Sequence, residues 1–326
     1  AQKAAVYLTP TTLELDGKCP VLNPNQSSAD LDVVTKRILF GKCHNSGQTC
    51  VSPDYLVVPT QNDPSVLPRI IASFRRAYTS FFPSDSHPTL SRISSPAHLA
   101  RLTSLLTRSK GRVVLGGHAD PANLRMDVTL VGVDETDPLM SEEIFGPILP
   151  ILEIRDWEEA VQLVDTVSGA PLVVYLFSED AVVKEIVRNR TRSGSLVCGC
   201  TFLQMAVYEL PYGGIGESGS GRSNKSAMEE FSYIRSQIDV PTSESMESHL
   251  EIFYLPYSEE ATEAVKKTGL GVCLPRSSAE GGIIEKSMNG CLFGRVGCGA
   301  SVICAAGVCL VLGIRILITI HNMSLQ

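Results

Sequence analysis

The chain has few aromatic residues and no excess of basic ones. Of its 326 residues, 6% are aromatic, with a single tryptophan, and the formal net charge is −7. Proteins that bind nucleic acid usually carry a basic patch or stripe. No such patch interleaved with aromatic residues occurs in this sequence, so we expect no nucleic-acid partner.

The cysteines also lack a spacing that would indicate a metal site. The ten cysteines include no Cys-x-x-Cys pair, and Cys198 and Cys200 are separated by a single residue. That separation is too short for a usual zinc site, so no metal is predicted. Without paired spacing or a recognisable signal peptide, we expect the thiols of the folded part to be reduced and to face the cytosol.

The most informative stretch that is present is Asn-Ser-Gly-Gln-Thr-Cys, which ends at Cys50. An amphipathic run over 30–42 precedes it and an apolar run over 55–58 follows it, which predicts a helix, a turn and a strand. A cysteine at the end of a small polar turn is placed like a reactive thiol, although a buried structural cysteine is the bland alternative. His44 is a weak candidate for a Cys–His pair.

Three further motifs occur in a fixed order around this cysteine. They are Leu-Glu-Leu-Asp-Gly-Lys over 13–18, Ser-Glu-Glu-Ile-Phe-Gly-Pro over 141–147, and the glycine-rich run over 211–219. Together with Cys50 they resemble the aldehyde dehydrogenase superfamily, most closely its membrane-associated, class 3-like fatty-aldehyde branch. The resemblance covers roughly residues 1 to 236.

The resemblance implies a role for each of four residues. Cys50 would attack an aldehyde, forming a thiohemiacetal and then a thioester. Glu14, on a short strand and expected to lie in an apolar pocket that raises its pKa, would activate the hydrolytic water. Glu143 would hydrogen-bond the nicotinamide ribose and Phe145 would pack on the nicotinamide, with NAD or NADP as the cofactor. The glycine-rich run would pack beside Cys50.

Two positions depart from the family pattern. Asp16 and Gly199 stand where the family usually has glycine and asparagine. We expect Asp16 to add a negative charge near the catalytic pocket, which would raise the pKa of the thiol or disturb the nicotinamide. We expect Gly199 to loosen a local hydrogen-bond network.

The expected fold is α/β, an aldehyde dehydrogenase-like catalytic domain with a mostly parallel sheet flanked by helices. Most of the Rossmann-type cofactor domain would be missing, with a dinucleotide-binding region expected upstream, and a C-terminal hydrophobic helix would follow. The expected divisions are a cofactor-domain remnant (1–16), the catalytic domain (17–216), a return to the cofactor domain with an oligomerisation strand (217–240), a partly disordered linker (241–295) and a transmembrane anchor (296–320).

The anchor is predicted from an uncharged apolar run, Val296 to Ile314, because about 20 such residues can span a bilayer. A buried core helix or a misread gene end would explain the same run. An anchor would bring the site to long-chain fatty aldehydes at the endoplasmic reticulum, the mitochondrial outer membrane or lipid droplets, with the catalytic part facing the cytosol. A homodimer is a further expectation.

Two other functions compete with the dehydrogenase. One is an inactive, membrane-attached remnant that binds no cofactor. The other is a thioesterase or esterase that needs only Cys50 and Glu14.

Overall fold

The computed structural model describes residues 1–15, 17–22, 31–61, 63–83, 90–224, 227–251, 254–256, 258–267 and 315–322. These residues belong to two compact units, Ala1–Glu230 and Phe231–Gln326. Asp16 lies outside the described residues, so its expected effect stays a prediction.

The first unit is built on a seven-stranded sheet in which one edge strand alone is antiparallel to its neighbour. This confirms the predicted α/β fold with a mostly parallel sheet. In spatial order the strands are β10 (Ser195–Cys198), β9 (Val173–Leu176), β2 (Pro20–Leu22), β3 (Tyr55–Pro59), β8 (Ile148–Ile154), β7 (Thr129–Val133) and the antiparallel β4 (Arg112–Leu115).

Helices and two small sheets complete the first unit. Its helices are α1 (Gln2–Val6), α2 (Leu31–Cys43), α3 (Val66–Phe81), α4 (Pro96–Arg108), α5 (Trp157–Ser168), α6 (Ala181–Arg190), α7 (Leu203–Ala206) and α8 (Ala227–Glu230). The small sheets pair β1 (Leu13–Glu14) with β11 (Gly219–Ser220), and β5 (Ala119–Asp120) with β6 (Arg125–Met126).

Side-chain caps fix where several of these helices begin. Ser95 accepts a hydrogen bond from the His98 N–H at the start of α4, where Pro96 occupies the first turn. Asp156 and Asp180 cap α5 and α6 in the same way. Such caps satisfy N–H groups that have no partner within the helix.

The sheet is covered by helices on both faces because its central strands alternate their side chains. In β3, Leu56 and Val58 pack in one hydrophobic cluster with buried residues of α2 and α3. Tyr55 and Val57 belong to another, which contains buried residues of α5 and α6. Successive strand residues point to opposite faces, so one apolar run supplies both cores.

The second unit contains a two-stranded antiparallel sheet. It pairs β12 (Ser232–Asp239) with β13 (Arg315–Asn322) along their full eight-residue lengths. The prediction of a helix through 320 is therefore wrong for residues 315–320. This stretch contains three isoleucines and one threonine, residue types that favour strands, and its backbone pairs with β12. The predicted oligomerisation strand overlaps β12, which here pairs with β13 of the same chain.

None of the helices in the described ranges is long and apolar enough to cross a membrane. The apolar run 296–314 lies outside those ranges. Between the two strands, α9 (Glu244–Leu250) and α10 (Glu259–Lys267) are regular helices within the segment predicted to be a linker. Ser243 caps α9. This cap is a local signal for a helix that apolar periodicity alone does not contain.

Candidate functional site

The turn before Cys50 has an unusual backbone. Asn45, Ser46 and Gly47 all have positive φ angles, of 49°, 56° and 72°. Left-handed conformations are unfavourable for residues with a β-carbon, so neighbouring contacts must hold this turn. A β-carbon on Gly47 would lie 2.2 Å from the carbonyl oxygen of Gly146. The cysteine turn therefore packs directly on the 141–147 motif.

Buried polar side chains of the turn bind the segment that precedes α4. The Ser46 hydroxyl donates to the carbonyl of Ser91 at 2.6 Å. The Gln48 side chain donates to the carbonyl of Arg92 at 3.0 Å and accepts from the N–H of Ser94 at 2.8 Å. These bonds fix the backbone that leads into Cys50.

The backbone at the cysteine itself is held from the sheet. The Cys19 thiol donates to the Cys50 carbonyl at 3.3 Å, and the Tyr175 hydroxyl donates to the Val51 carbonyl at 2.7 Å. A β-carbon on Gly17 would lie 2.5 Å from the Cys50 carbonyl oxygen. Cys50 is therefore positioned by the segment that leads into β2, by β9 and by the turn together.

Two side chains lie within hydrogen-bonding distance of the reactive sulfur. The Cys50 Sγ atom lies 3.5 Å from Glu14 Oε1 and 3.0 Å from the Tyr212 hydroxyl oxygen. The Tyr212 hydroxyl donates to Glu14 Oε1 at 2.7 Å. The structure thus brings together the predicted nucleophile and the predicted base, and it adds a tyrosine that the sequence reasoning missed.

The glycine-rich run holds both partners of the sulfur. Glu14 pairs with Gly219 in the β1–β11 sheet, and Tyr212 pairs with Ser223. A β-carbon on Gly219 would lie 2.1 Å from the Leu13 carbonyl oxygen. The expected packing of this run beside the cysteine is confirmed at Tyr212.

The electrostatic surroundings of Cys50 favour the thiol over the thiolate. Its partial burial raises the pKa of the thiol, and the negative charges of Glu14 and Glu143 raise it further. The hydrogen bond to Tyr212 lowers the pKa and so opposes these effects. The Glu14 side chain is exposed, so the apolar pocket expected around it is not formed by the described residues.

Glu143 and Phe145 lie on a loop that is anchored by a buried ion pair. The Lys18 ammonium lies 2.6 Å from Asp54 Oδ2 and donates to the Glu142 carbonyl at 2.9 Å. The other oxygen of Asp54 accepts from the Ile144 N–H at 3.1 Å. One lysine of the Glu14 motif therefore fixes the loop that carries the predicted cofactor contacts.

Two side chains of this loop have the chemistry to contact one end of a dinucleotide. Phe145 is half-buried at a φ angle of 52°, and its carbonyl is hydrogen-bonded to the His98 ring. Glu143 is also half-buried, and its charge acts on the Cys50 thiol. One loop thus carries an aromatic ring and a carboxylate that can accept from ribose hydroxyls, and the backbone of this loop packs on the turn before the nucleophile. These features suit a nicotinamide riboside, and the roles themselves stay predictions.

The other candidates occupy different surroundings. The His44 ring packs on the Phe202 ring with centroids 4.7 Å apart; within the described chain, no hydrogen bond joins it to Cys50. The carbonyl of Gly199 accepts from Arg37, and its φ angle is 75°. The described residues contain no group of three or more His, Cys, Asp or Glu side chains that could hold a metal.

Comparisons with known proteins agree with the motifs. Residues 1–237 match the sequence profile of the aldehyde dehydrogenase family. The chain is 40% identical over 236 residues to aldehyde dehydrogenase family 3 member B1 of Bos taurus, covering 71% of this chain and 48% of that protein. It is 38% identical over 238 residues to the dimeric NADP-preferring aldehyde dehydrogenase of Canis lupus familiaris, covering 72% and 50%.

A solved structure gives the same picture. The substrate-bound state of Staphylococcus aureus AldH matches with a TM-score of 0.73 and 34% identity, over 82% of this chain and 57% of that one. The chain spans about half the length of the curated relatives described above.

Proposed function

The chain belongs to the aldehyde dehydrogenase family, and we propose that it oxidises an aldehyde to a carboxylic acid with NAD+ or NADP+. The observation that carries this proposal is the 3.5 Å distance between Cys50 Sγ and Glu14 Oε1. A thiol and a carboxylate at this distance can act as a nucleophile and a base in turn.

In this mechanism the Cys50 proton passes to Glu14, whose exposed carboxyl group releases it to solvent, and the Cys50 thiolate attacks the aldehyde carbonyl. The Cys50 backbone N–H would donate to the resulting oxyanion. When bound, the cofactor supplies the hydride acceptor, and Glu143 and Phe145 would hold its nicotinamide riboside. Glu14 would then take a proton from the water that hydrolyses the thioester on Cys50.

We propose a long-chain fatty aldehyde as the substrate. The segment leading to Tyr212 exposes several apolar side chains, among them Leu203, Tyr208 and Leu210, which are 54%, 65% and 46% exposed. An apolar approach of this kind suits an aldehyde with an alkyl chain. The apolar run 296–314 supports a membrane location, with the catalytic part facing the cytosol. A relative named as dimeric supports a homodimer.

The test is turnover of an aldehyde series by the full chain with NAD+ and with NADP+, followed through reduced nicotinamide fluorescence. We expect activity to rise with alkyl length and to be abolished by Cys50→Ala. Glu14→Gln should lower turnover by about 10²–10⁴-fold, the usual contribution of a general base. Glu143→Ala should weaken cofactor binding in a direct titration.

The alternatives give different results in the same assay. A chain that binds neither cofactor and turns over no aldehyde would fit an inactive remnant. Cofactor-independent hydrolysis of an activated ester that is lost in Cys50→Ser would fit an esterase.

A further inference from the structure

The hydroxyl group of Tyr212 has two partners and a single hydrogen to donate. Its oxygen lies 3.0 Å from Cys50 Sγ and 2.7 Å from Glu14 Oε1. A phenol carries one O–H donor and can also accept. Tyr212 can therefore donate to the carboxylate or to the sulfur, but not to both at once.

The charge state of the sulfur decides which partner receives the hydrogen. While Cys50 is a thiol, a carboxylate is the stronger acceptor, so Tyr212 donates to Glu14. A thiolate carries a full negative charge and can only accept. It then competes for the same hydrogen.

We propose that Tyr212 is a catalytic residue whose hydroxyl hydrogen bond turns from Glu14 to the Cys50 sulfur as the thiol ionises. The proposal rests on the proposed role of Cys50 as the nucleophile. The S–H bond breaks, its electron pair stays on the sulfur, and the proton passes to Glu14 Oε1. The negative charge thus moves from Glu14 to Cys50, and no oxidant or reductant is consumed.

Protonation of Glu14 is the event that frees the hydroxyl. A neutral carboxylic acid is a weaker acceptor than a carboxylate, so its hold on the Tyr212 hydrogen is reduced at the moment when the thiolate forms. Tyr212 itself stays neutral, because partial burial and its hydrogen bonds to Cys50 and Glu14 raise the pKa of the phenol. The tyrosine therefore links protonation of the base to stabilisation of the nucleophile.

The backbone of Tyr212 is held in place independently of this hydrogen bond. The Tyr212 carbonyl accepts from the Ser223 N–H at 2.6 Å and from the Ser223 hydroxyl at 3.2 Å. Replacing Tyr212 by phenylalanine should leave these backbone contacts in place and remove only the hydroxyl.

The experiment is the pH profile of Cys50 alkylation by iodoacetamide in the full chain, read by mass spectrometry of the peptide that contains Cys50. We expect Tyr212→Phe to raise the profile's midpoint by about one pH unit, which is about a tenfold slower reaction near neutral pH. The plateau at high pH should be retained. Tyr7→Phe, at an exposed tyrosine with no part in the site, should leave the profile unchanged.

A second variant tests the competition for the hydrogen. Glu14→Gln removes a negative charge and should lower the midpoint. Because an amide is a weaker acceptor than a carboxylate, adding Tyr212→Phe to Glu14→Gln should raise the midpoint by more than it does in the native chain. An equal or smaller shift would overturn the proposal, as would a Tyr212→Phe midpoint that matches the native one.

The buried Cys19 thiol reports on folding in the same digest. If Cys19 becomes labelled in Tyr212→Phe, that variant has unfolded and its alkylation profile is set aside. The Glu14→Gln variant then tests the proposal, and an alkylation midpoint that does not fall in this variant overturns it. The assay needs neither cofactor nor aldehyde. If the chain turns over aldehyde but Tyr212→Phe does not shift the alkylation midpoint, only the proposal for Tyr212 is overturned. If the midpoint shifts but no aldehyde is turned over, only the proposed function is overturned.

Discussion

Among single residues, Gly47 places the tightest demand on the turn before Cys50. Its φ angle is 72°, and an added β-carbon would lie 2.2 Å from the Gly146 carbonyl oxygen. The nearest atoms, the carbonyl oxygen and carbon of Gly146, belong to the backbone and cannot rotate out of the way as a side chain can. Close packing of the cysteine turn on the 141–147 motif is possible because no side chain is present here.

We predict that Gly47→Ala destabilises the protein and slows Cys50 alkylation, because the turn must move away from Gly146. The free energy of unfolding, measured in urea, should fall by more than the about 1–2 kcal/mol expected from a left-handed alanine alone. Gly216→Ala is the matched control. Gly216 has a φ angle of 63°, but its β-carbon would lie 3.6 Å from that of Ala170. Equal losses in the two variants would show that the steric contact has no effect.

Between elements, the Lys18–Asp54 pair joins the start of β2, the start of β3 and the loop of Glu143 and Phe145. Its side chains are 8% and 3% exposed. Charges removed from water require a partner and further hydrogen bonds. Carbonyls at 139 and 142 and the Ile144 N–H supply them.

We predict that Asp54→Asn lowers the free energy of unfolding by about 3–5 kcal/mol, the usual effect of leaving one buried charge unpaired. Urea denaturation measures this change. Glu158→Gln breaks the exposed pair with Arg190, whose side chains are 65% and 46% exposed, and should cost about 1 kcal/mol or less. Similar losses for the two variants would contradict a special role for burial.

At the scale of the whole folded unit, Lys42 makes the free energy of unfolding depend on pH. Its side chain is fully buried and donates to the Pro53 carbonyl at 2.8 Å. Burial lowers the pKa of this lysine from 10.5 to about 8. Between these two values the unfolded chain binds a proton that the folded chain has lost, so this residue makes the folded state more stable as the pH rises.

We predict that the stability of the native chain relative to Lys42→Met increases from pH 7 to about pH 10.5, by at most about 3 kcal/mol, since each pKa unit corresponds to about 1.4 kcal/mol. Urea denaturation of both proteins across this range tests the prediction. Both proteins contain the same buried tyrosines and cysteines, so the titration of these groups cancels in the difference between the two free energies of unfolding. Lys36→Met, on the exposed side of the same helix, should give a flat difference, and a flat result for Lys42→Met would contradict the prediction.

Local patterns in the sequence predicted much of this fold. The helix predicted over 30–42 and the strand predicted over 55–58 agree closely with α2 (Leu31–Cys43) and β3 (Tyr55–Pro59). The Glu14–Cys50 contact was expected from the resemblance, because both lie in motifs with a fixed order. These features depend on neighbours in the chain or on a family pattern.

Features that depend on a single distant contact were not predicted. Tyr212 was read only as part of a glycine-rich run, although its hydroxyl is the group that reaches the sulfur. Lys18 was noted only as the last residue of the Glu14 motif, and nothing local identifies Asp54 as its partner. Residues 315–320 of β13 were predicted as the end of a helix, because an apolar run fits either element until its pairing partner is known.

The contact between Tyr212 and Glu14 has a consequence for synthesis of the protein on the ribosome. The two residues are 198 positions apart, and Tyr212 is 162 positions beyond Cys50. At about 5–20 residues per second, Tyr212 is made about 10–40 s after Glu14. For most of this time the Cys50 thiol has been made but lacks its hydroxyl partner. The nascent chain therefore carries a thiol without its finished site, and oxidants or chaperones would meet it in that state.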